Sequence, residues 1–233
     1  MATPEQQRQA QTTVYLRPGP RGRTPVYATA GSAGCDLYAS APITLLPGET
    51  RLLSLDLVMA LEPGVEAQVR PRSGLSLNTT LRIPNAPGTI DSDYRSPMGV
   101  IVENTFNQSQ LVDRILARPE LLDEILDQCR RTTVAAHLAA GGREVVADRL
   151  REELPELAER TLFLDRQGNP YGTIYIQTGD RIAQLVFGSC LQGEFIQHEQ
   201  PELIGNDRGG GFGSTGFSGP TGQKTSRGGQ DHA

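Results

Sequence analysis

The chain has 233 residues, of which 37% are hydrophobic, 21% charged and 5% aromatic, with 26 Gly, 16 Pro and no Trp; that is enough for one sizeable domain, rich in turns, around a core of Val, Ile and Leu. A net charge of −5 leaves no basic footprint, so stable nucleic acid binding is not expected and an anionic ligand must be met by a local cluster of donors. No apolar run reaches the roughly 18–20 residues of a bilayer span, the polar amino terminus lacks the apolar stretch of a secretory signal, and Cys35, Cys129 and Cys190 form no CxxC pair, which predicts reduced thiols in a cytoplasmic (intracellular) protein.

Residues 1–13, polar and Gln-rich, read as a disordered arm with nothing to bury. Strands and turns follow. Ile43 to Leu46 ends at Pro47-Gly48, a turn dipeptide. Leu53, Leu55, Leu57 and Met59 alternate with Ser54, Asp56 and Val58, as in a strand with one buried face. Pro63-Gly64 turns the chain, Val65, Ala67 and Val69 resume the alternation, and Val100-Ile101-Val102 makes another strand. The period then changes. Leu111/Val112 with Ile115/Leu116, Leu121/Leu122 with Ile125/Leu126, and Val145/Val146 with Leu150 recur at helical spacing. Pro119 suits a first helical position, Gly141-Gly142 breaks the run, and Pro155 ends or restarts a helix. Residues 109–160 hold 11 Asp/Glu against 8 Arg and no Lys, a net −3. Strands return at Gly172–Ile176 and, after Gly179, at Arg181–Phe187; from about residue 217 the Gly-, Ser- and Thr-rich tail reads as flexible.

Four stretches carry polar groups that strand packing does not require. Pro71-Arg72-Ser73-Gly74 joins a cation, a hydroxyl and a permissive glycine; it can cradle an anion or simply turn after an edge strand. Gly88-Thr89-Ile90-Asp91-Ser92-Asp93-Tyr94 sets two carboxylates on one side of an extended chain. Either could orient a water, and both could be exposed hairpin charges. Gly179-Asp180-Arg181-Ile182-Ala183-Gln184 adds a cation and an amide to a turn and strand, which turn-then-strand structure alone largely explains. Residues 208–216, RGGGFGSTG, hold five glycines in nine positions. Such a loop can offer several N–H groups to a polyphosphate, but it lacks the GK[ST] ending of a P-loop.

Together with Ala33-Gly34-Cys35-Asp36-Leu37, the stretches PRSGL (71–75), NAPGTIDSDY (85–94), GDRIAQLVF (179–187) and RGGGFGSTG (208–216) resemble, in order, the five motifs of the trimeric all-β dUTPase family. The resemblance covers roughly residues 14–107 and 169–216. It implies a distorted jelly-roll β-barrel at 14–106 and 169–207, an inserted α-helical subdomain at 107–168, and a glycine-rich arm at 208–233 that closes over the active site. It also implies a homotrimer with sites shared between subunits, dUTP as substrate and Mg²⁺ as cofactor, with hydrolysis to dUMP and pyrophosphate. Carried over by position, Asp91 activates the attacking water and Asn85 and the hairpin from Gly88 read uracil. Tyr94 packs under the deoxyribose, while Arg72, Ser73, Gly74 and Gln184 contact phosphates. Arg208 holds the γ-phosphate, Phe212 stacks on uracil, and Gly213, Ser214 and Thr215 close over the phosphates. Asp36 acts near the metal through water, with no direct protein ligand.

The chain departs from the family pattern in two places. The last motif is one residue shorter than RGxGGFG, and 62 residues stand between the third and fourth motifs where a short hairpin is usual. The plainer expectation for that insert is a helical cap; alternatively its amphipathic face recruits a protein partner. A related deaminase class shares the barrel, but no matching motif with a catalytic Glu is found here. A purely regulatory binding role is disfavoured by the joint presence of Asp91, Tyr94, Arg72, Gln184, Arg208 and Phe212.

Overall fold

Alternation of apolar and polar residues decides where the chain is extended, and the computed structural model describes residues 11–206. The chain divides into two units, one ending at Leu191 and one beginning at Gln192. In the second, the regular structure among the described residues is a 3₁₀ turn at Pro201–Leu203.

The first unit is a distorted β jelly-roll with a helical insertion. Its main sheet runs β2 (Val26–Tyr27), β3 (Cys35–Tyr38), β14 (Arg181–Ser189), β7 (Val65–Arg70), β9 (Gly88–Ile90), in that spatial order. A second sheet pairs β5 (Thr50–Ser54), β10 (Gly99–Asn104) and β8 (Leu81–Arg82), and two ribbons pair β1 (Val14–Pro18) with β6 (Leu57–Leu61) and β4 (Ile43–Leu45) with β13 (Ile174–Ile176). All these pairings are antiparallel. One continuous core fills the barrel, with Leu37, Leu45, Leu55, Leu57, Met59, Val100, Val102 and Leu185 buried in it. Each such side chain contributes about 1.5–3 kcal/mol by leaving water.

The alternation from Leu53 to Met59 holds, but as two strands. Leu53, Leu55, Leu57, Met59 and Leu61 are all buried, while the chain bends between β5 and β6. Asp56 is the bend, with φ +49, a conformation that Asp tolerates because its short polar side chain bonds locally. Its carboxylate accepts from Arg21 N at 2.8 Å and its carbonyl from Gly19 N at 2.8 Å. The bend sends β5 to β10 and β6 to β1 without losing the buried face.

The insertion is less purely helical than its spacing suggests. It holds α2 (Leu111–Ala117), α3 (Leu121–Gln128), α4 (Val134–Ala140), α5 (Glu144–Glu153) and α6 (Pro155–Ala158), with α1 (Ser73–Asn78) lying earlier in the barrel. It also holds a two-stranded ribbon of β11 (Arg130–Thr133) and β12 (Thr161–Leu164). Thr132 and Thr133 are weak helix formers, and Thr133 caps α4 by accepting from Ala136 N. Pro155 restarts a helix as expected, whereas Pro119 lies two residues ahead of α3 rather than at its first position. Two small cores hold the insertion. Phe106, Leu111, Leu121 and Ile125 pack with Phe163 and Tyr171 at its base, and Ala135, Ala147 and Ala158 bring α4, α5 and α6 together.

Candidate functional site

Two neighbouring groups of polar residues lie on the main sheet, and strand order explains both. The first follows β9, which pairs with β7 so that Gly88 faces Val69. A cavity of about 160 Å³ opens here, lined by Val69, Asn85, Gly88, Tyr94, Met98 and Val100 among others. Gly88 is buried, and a Cβ on it would lie 3.1 Å from Asn85 Nδ2, so the glycine lets the Asn85 amide sit close to β9. Past Ile90 the chain turns, Tyr94 N donating to the Asp91 carbonyl at 3.1 Å and the Tyr94 hydroxyl to the Pro97 carbonyl at 3.1 Å. Asp91 and Asp93 are both exposed, and among the described residues neither carboxylate is engaged by a hydrogen bond or ion pair. Asp91 directly follows β9 and adjoins Ile90 of the cavity lining, and Asp93 adjoins Tyr94 of the same lining.

The second group gathers where β3, β14 and β7 run side by side. In register, Gln184 of β14 stands opposite Asp36 of β3 and Arg70 of β7, so the three share one face of the sheet. Arg72 follows β7 with extended backbone and begins α1. Its Nε donates to Asp36 Oδ1 at 2.9 Å, and its Nη1 to the Arg181 carbonyl at 3.2 Å. Arg181 Nη1 reaches the other oxygen, Asp36 Oδ2, at 3.3 Å. Gln184 Nε2 donates to the Pro71 carbonyl at 2.9 Å, and a Cβ on Gly34 would come within 2.7 Å of its Oε1. The Pro71–Arg72 corner is thus held from both sides. Ser73 and Gly74 are exposed at the first positions of α1, and a Cβ on Gly74 would meet open space. Nothing among the described residues demands that glycine.

Next to Asp36, Cys35 faces inward and burial pushes its thiol above the ordinary value. Sγ lies 3.5 Å from the Leu185 carbonyl, so this cysteine belongs to the core. Among the described residues no group of three or more His, Cys, Asp or Glu side chains could hold a metal ion.

The structure brings Arg72, Ser73, Gly74, Gln184 and Asp36 together at one corner, and Asn85, Gly88 and Tyr94 around one cavity. Arg208, Phe212, Gly213, Ser214 and Thr215 lie outside the described residues. Sequence reasoning read 71–74 as a strand end or turn; Ser73 and Gly74 instead open a helix, too short for its periodicity to register. Arg70 was passed over, and Arg181 was noted as a cation of its motif but given no role. Arg70 could have been found from the two-residue spacing to Arg72, whereas Arg181 reaches the site through a register shift that only the folded sheet displays.

A family model described as dUTPase matches residues 21–113. The deoxyuridine 5′-triphosphate nucleotidohydrolase of Anaeromyxobacter sp. is 40% identical over 131 residues, which cover 54% of this chain and 84% of that protein. Among solved structures, a mutant dUTPase of Staphylococcus bacteriophage 80alpha with dUpNHpp superposes with a TM-score of 0.61 at 20% identity, covering 89% of this chain and all of that one. A mutant dUTPase from phage phi11 of S. aureus, described for its coordination of a structural Mg(II) ion, gives 0.54 at 21% identity over 80% of this chain and 97% of that one. No helix among the described residues is long and apolar enough to cross a membrane.

Proposed function

The chain belongs to the dUTPase family, and on that premise we propose that it is a dUTP diphosphatase, hydrolysing dUTP to dUMP and pyrophosphate at a site shared between subunits of a homotrimer. The observation that carries this is that one chain presents both a small cavity bordered by Asn85, Gly88 and Tyr94 and a guanidinium–carboxylate corner at Arg72 and Asp36, the two parts that a site assembled between subunits needs. A nucleoside end and a phosphate end are both present.

In this reading Asn85 and the backbone from Gly88 read the uracil edge. The Tyr94 ring packs under the deoxyribose and leaves no room for a 2′-hydroxyl. Asp91, whose carboxylate is unengaged among the described residues, orients a water and takes its proton as the water oxygen bonds to the α-phosphorus. The bond from that phosphorus to the bridging oxygen breaks, and pyrophosphate leaves. Arg72, the start of α1 at Ser73 and Gly74, and the free hydrogen of the Gln184 amide hold the phosphates, stabilising charge as it moves onto the leaving group. Bound Mg²⁺ supplies further neutralisation of the triphosphate. Asp36 remains able to accept from its waters, since each carboxylate oxygen has a second lone pair beyond its guanidinium bond. Arg208, Phe212, Gly213, Ser214 and Thr215 form the closing arm.

The domain division that goes with this reading is barrel at 14–106 and 169–207, insertion at 107–168 and arm at 208–233. Product dUMP would supply dTMP synthesis while removal of dUTP limits uracil in DNA. The insertion leaves Val112, Leu116, Leu122 and Leu126 exposed at i, i+4 spacing on α2 and α3, a face open to a protein partner.

The test is a panel of deoxynucleoside and ribonucleoside triphosphates with pyrophosphate detection, with and without Mg²⁺. Release from dUTP, lost by at least about a thousandfold in Asp91→Asn while dUTP still binds, is the expected result. Ammonia released from dCTP, or full turnover by Asp91→Asn, would overturn the assignment.

A further inference from the structure

We infer that Arg181 is a positioning residue: by taking one oxygen of Asp36, it keeps the charge of Arg72 available to the phosphates of the nucleotide. The inference rests on the reading of the Arg72 corner as the phosphate end of the site.

Three observations carry it. First, the two oxygens of one carboxylate are divided between two guanidiniums, Oδ1 to Arg72 at 2.9 Å and Oδ2 to Arg181 at 3.3 Å. The Asp36 side chain is only 14% exposed and Arg72 27%, against 54% for Arg181. A shielded Arg72–Asp36 pair by itself is neutral and offers a polyanion little net attraction. With Arg181 the Asp36 carboxylate is shared by two cations, Arg70 lies on the same face of the sheet, and the surplus charge faces outward.

Second, the sheet is distorted at the residue that needs it. Arg181 and Gln184 are three apart, an odd interval that an unbroken strand sends to opposite faces. The register shifts between Arg181 and Ala183, so that Arg181 stands opposite Tyr38 while Ala183 stands opposite Leu37. Tyr38 and Asp36 share a face of β3, so the bulge brings Arg181 onto the face of Asp36 and Gln184, with Ile182 and Ala183 both buried behind it. Third, the Arg181 carbonyl accepts from Arg72 Nη1 at 3.2 Å. With Nε on Asp36 and Nη1 on this carbonyl, Arg72 is fixed in orientation and keeps Nη2 for a ligand. The carbonyl contact is independent of the Arg181 side chain, so substitution there isolates charge from geometry.

The experiment uses the full chain and equilibrium titration with the non-hydrolysable imido analogue dUpNHpp, with dUDP, dUMP and deoxyuridine, alongside dUTP kinetics. Arg181→Gln should weaken dUpNHpp about tenfold, dUDP less, dUMP less again and deoxyuridine not at all. For dUTP, KM should rise by more than kcat falls. Arg181→Lys should recover most of the loss, and wild-type affinity for dUpNHpp should decline more steeply with added NaCl than that of Arg181→Gln. Equal losses for all four ligands would show a merely structural role and overturn the inference, as would no loss at all. Arg181→Met, which keeps the aliphatic stem, carries the same test if the glutamine variant is poorly folded. Arg72→Gln separates the two levels. If it leaves dUpNHpp binding unchanged, the phosphate reading of the corner fails; if it weakens binding while Arg181→Gln does not, only the role of Arg181 fails.

Discussion

Asn104, fully buried at the end of β10, ties three segments to one amide. Its Nδ2 donates to the carbonyls of Leu45 at 3.1 Å and Gly172 at 2.8 Å, and its Oδ1 accepts from Thr80 Oγ1 at 2.7 Å and Phe106 N at 3.0 Å. A buried amide with every polar atom engaged is stabilising; removing it strands its partners away from water. Asn104→Ala should lower stability by about 2–4 kcal/mol, read as a reduced urea midpoint, with kcat on dUTP unchanged in the folded fraction. An unaltered midpoint would mean that water replaces the amide. Beside it, Gly172 has φ +92, and a Cβ there would overlap the Phe106 ring at 2.3 Å, so its glycine is required twice over, by backbone and by contact. At Tyr175 the phenol donates to Asp165 Oδ2 at 2.5 Å, and burial followed by that bond raises its pKa above the ordinary 10.0. The associated stability is fully present below the unfolded value and is lost as pH rises from there through the folded one.

At the scale of elements, the barrel and the insertion meet at a narrow neck. Asn104 and Gly172 are bonded across it, and the Phe106 and Tyr171 rings stack edge to face at 5.5 Å. The ends of the insertion are therefore close together, which is the geometry that lets a long segment be accommodated at a loop tip. Replacing 107–168 by a short turn should leave a folded barrel that hydrolyses dUTP, at a cost of a few kcal/mol because Phe106 and Tyr171 lose their partners in α2 and α3. Loss of hydrolysis in a variant that still melts cooperatively would instead assign the insertion a part in catalysis. Retained activity would leave the exposed Val112, Leu116, Leu122 and Leu126 face to a role outside the chemistry. The helical spacing of residues 111–126 and 145–150 was legible because apolar residues at i and i+4 repeat over enough turns. The ribbon of β11 and β12 was not, since its partners lie some thirty residues apart and Arg130–Thr133 shows no apolar alternation.

For the whole molecule, the proposed sharing of sites between subunits makes a prediction that a single-chain site does not. Asp91→Asn and Arg72→Gln are each expected to be nearly inactive alone. When equal amounts are unfolded and reassembled together, a site drawing Arg72 from one subunit and Asp91 from another is intact with a probability of about one quarter. Recovery of about that fraction of wild-type turnover is expected; a mixture no more active than its components would place both residues in one chain's site.

The amino-acid sequence by itself determined the order of the five motifs that carry the family resemblance. It also determined the β character of the first hundred residues and the helical character of the insertion, because these depend on local spacing: period 2, period 3.6, and glycine beside fixed cations and carboxylates. Tertiary structure alone decided that Asp36 serves two arginines, that Asp56 splits one alternating run into two strands without turning its buried face, and that Arg181 joins the site across a bulge. Pairing register is set by contacts between residues far apart in the chain, 145 positions in the case of Asp36 and Arg181. A one-residue shift of register moves a side chain to the other face of the sheet, and nothing in the local sequence announces it.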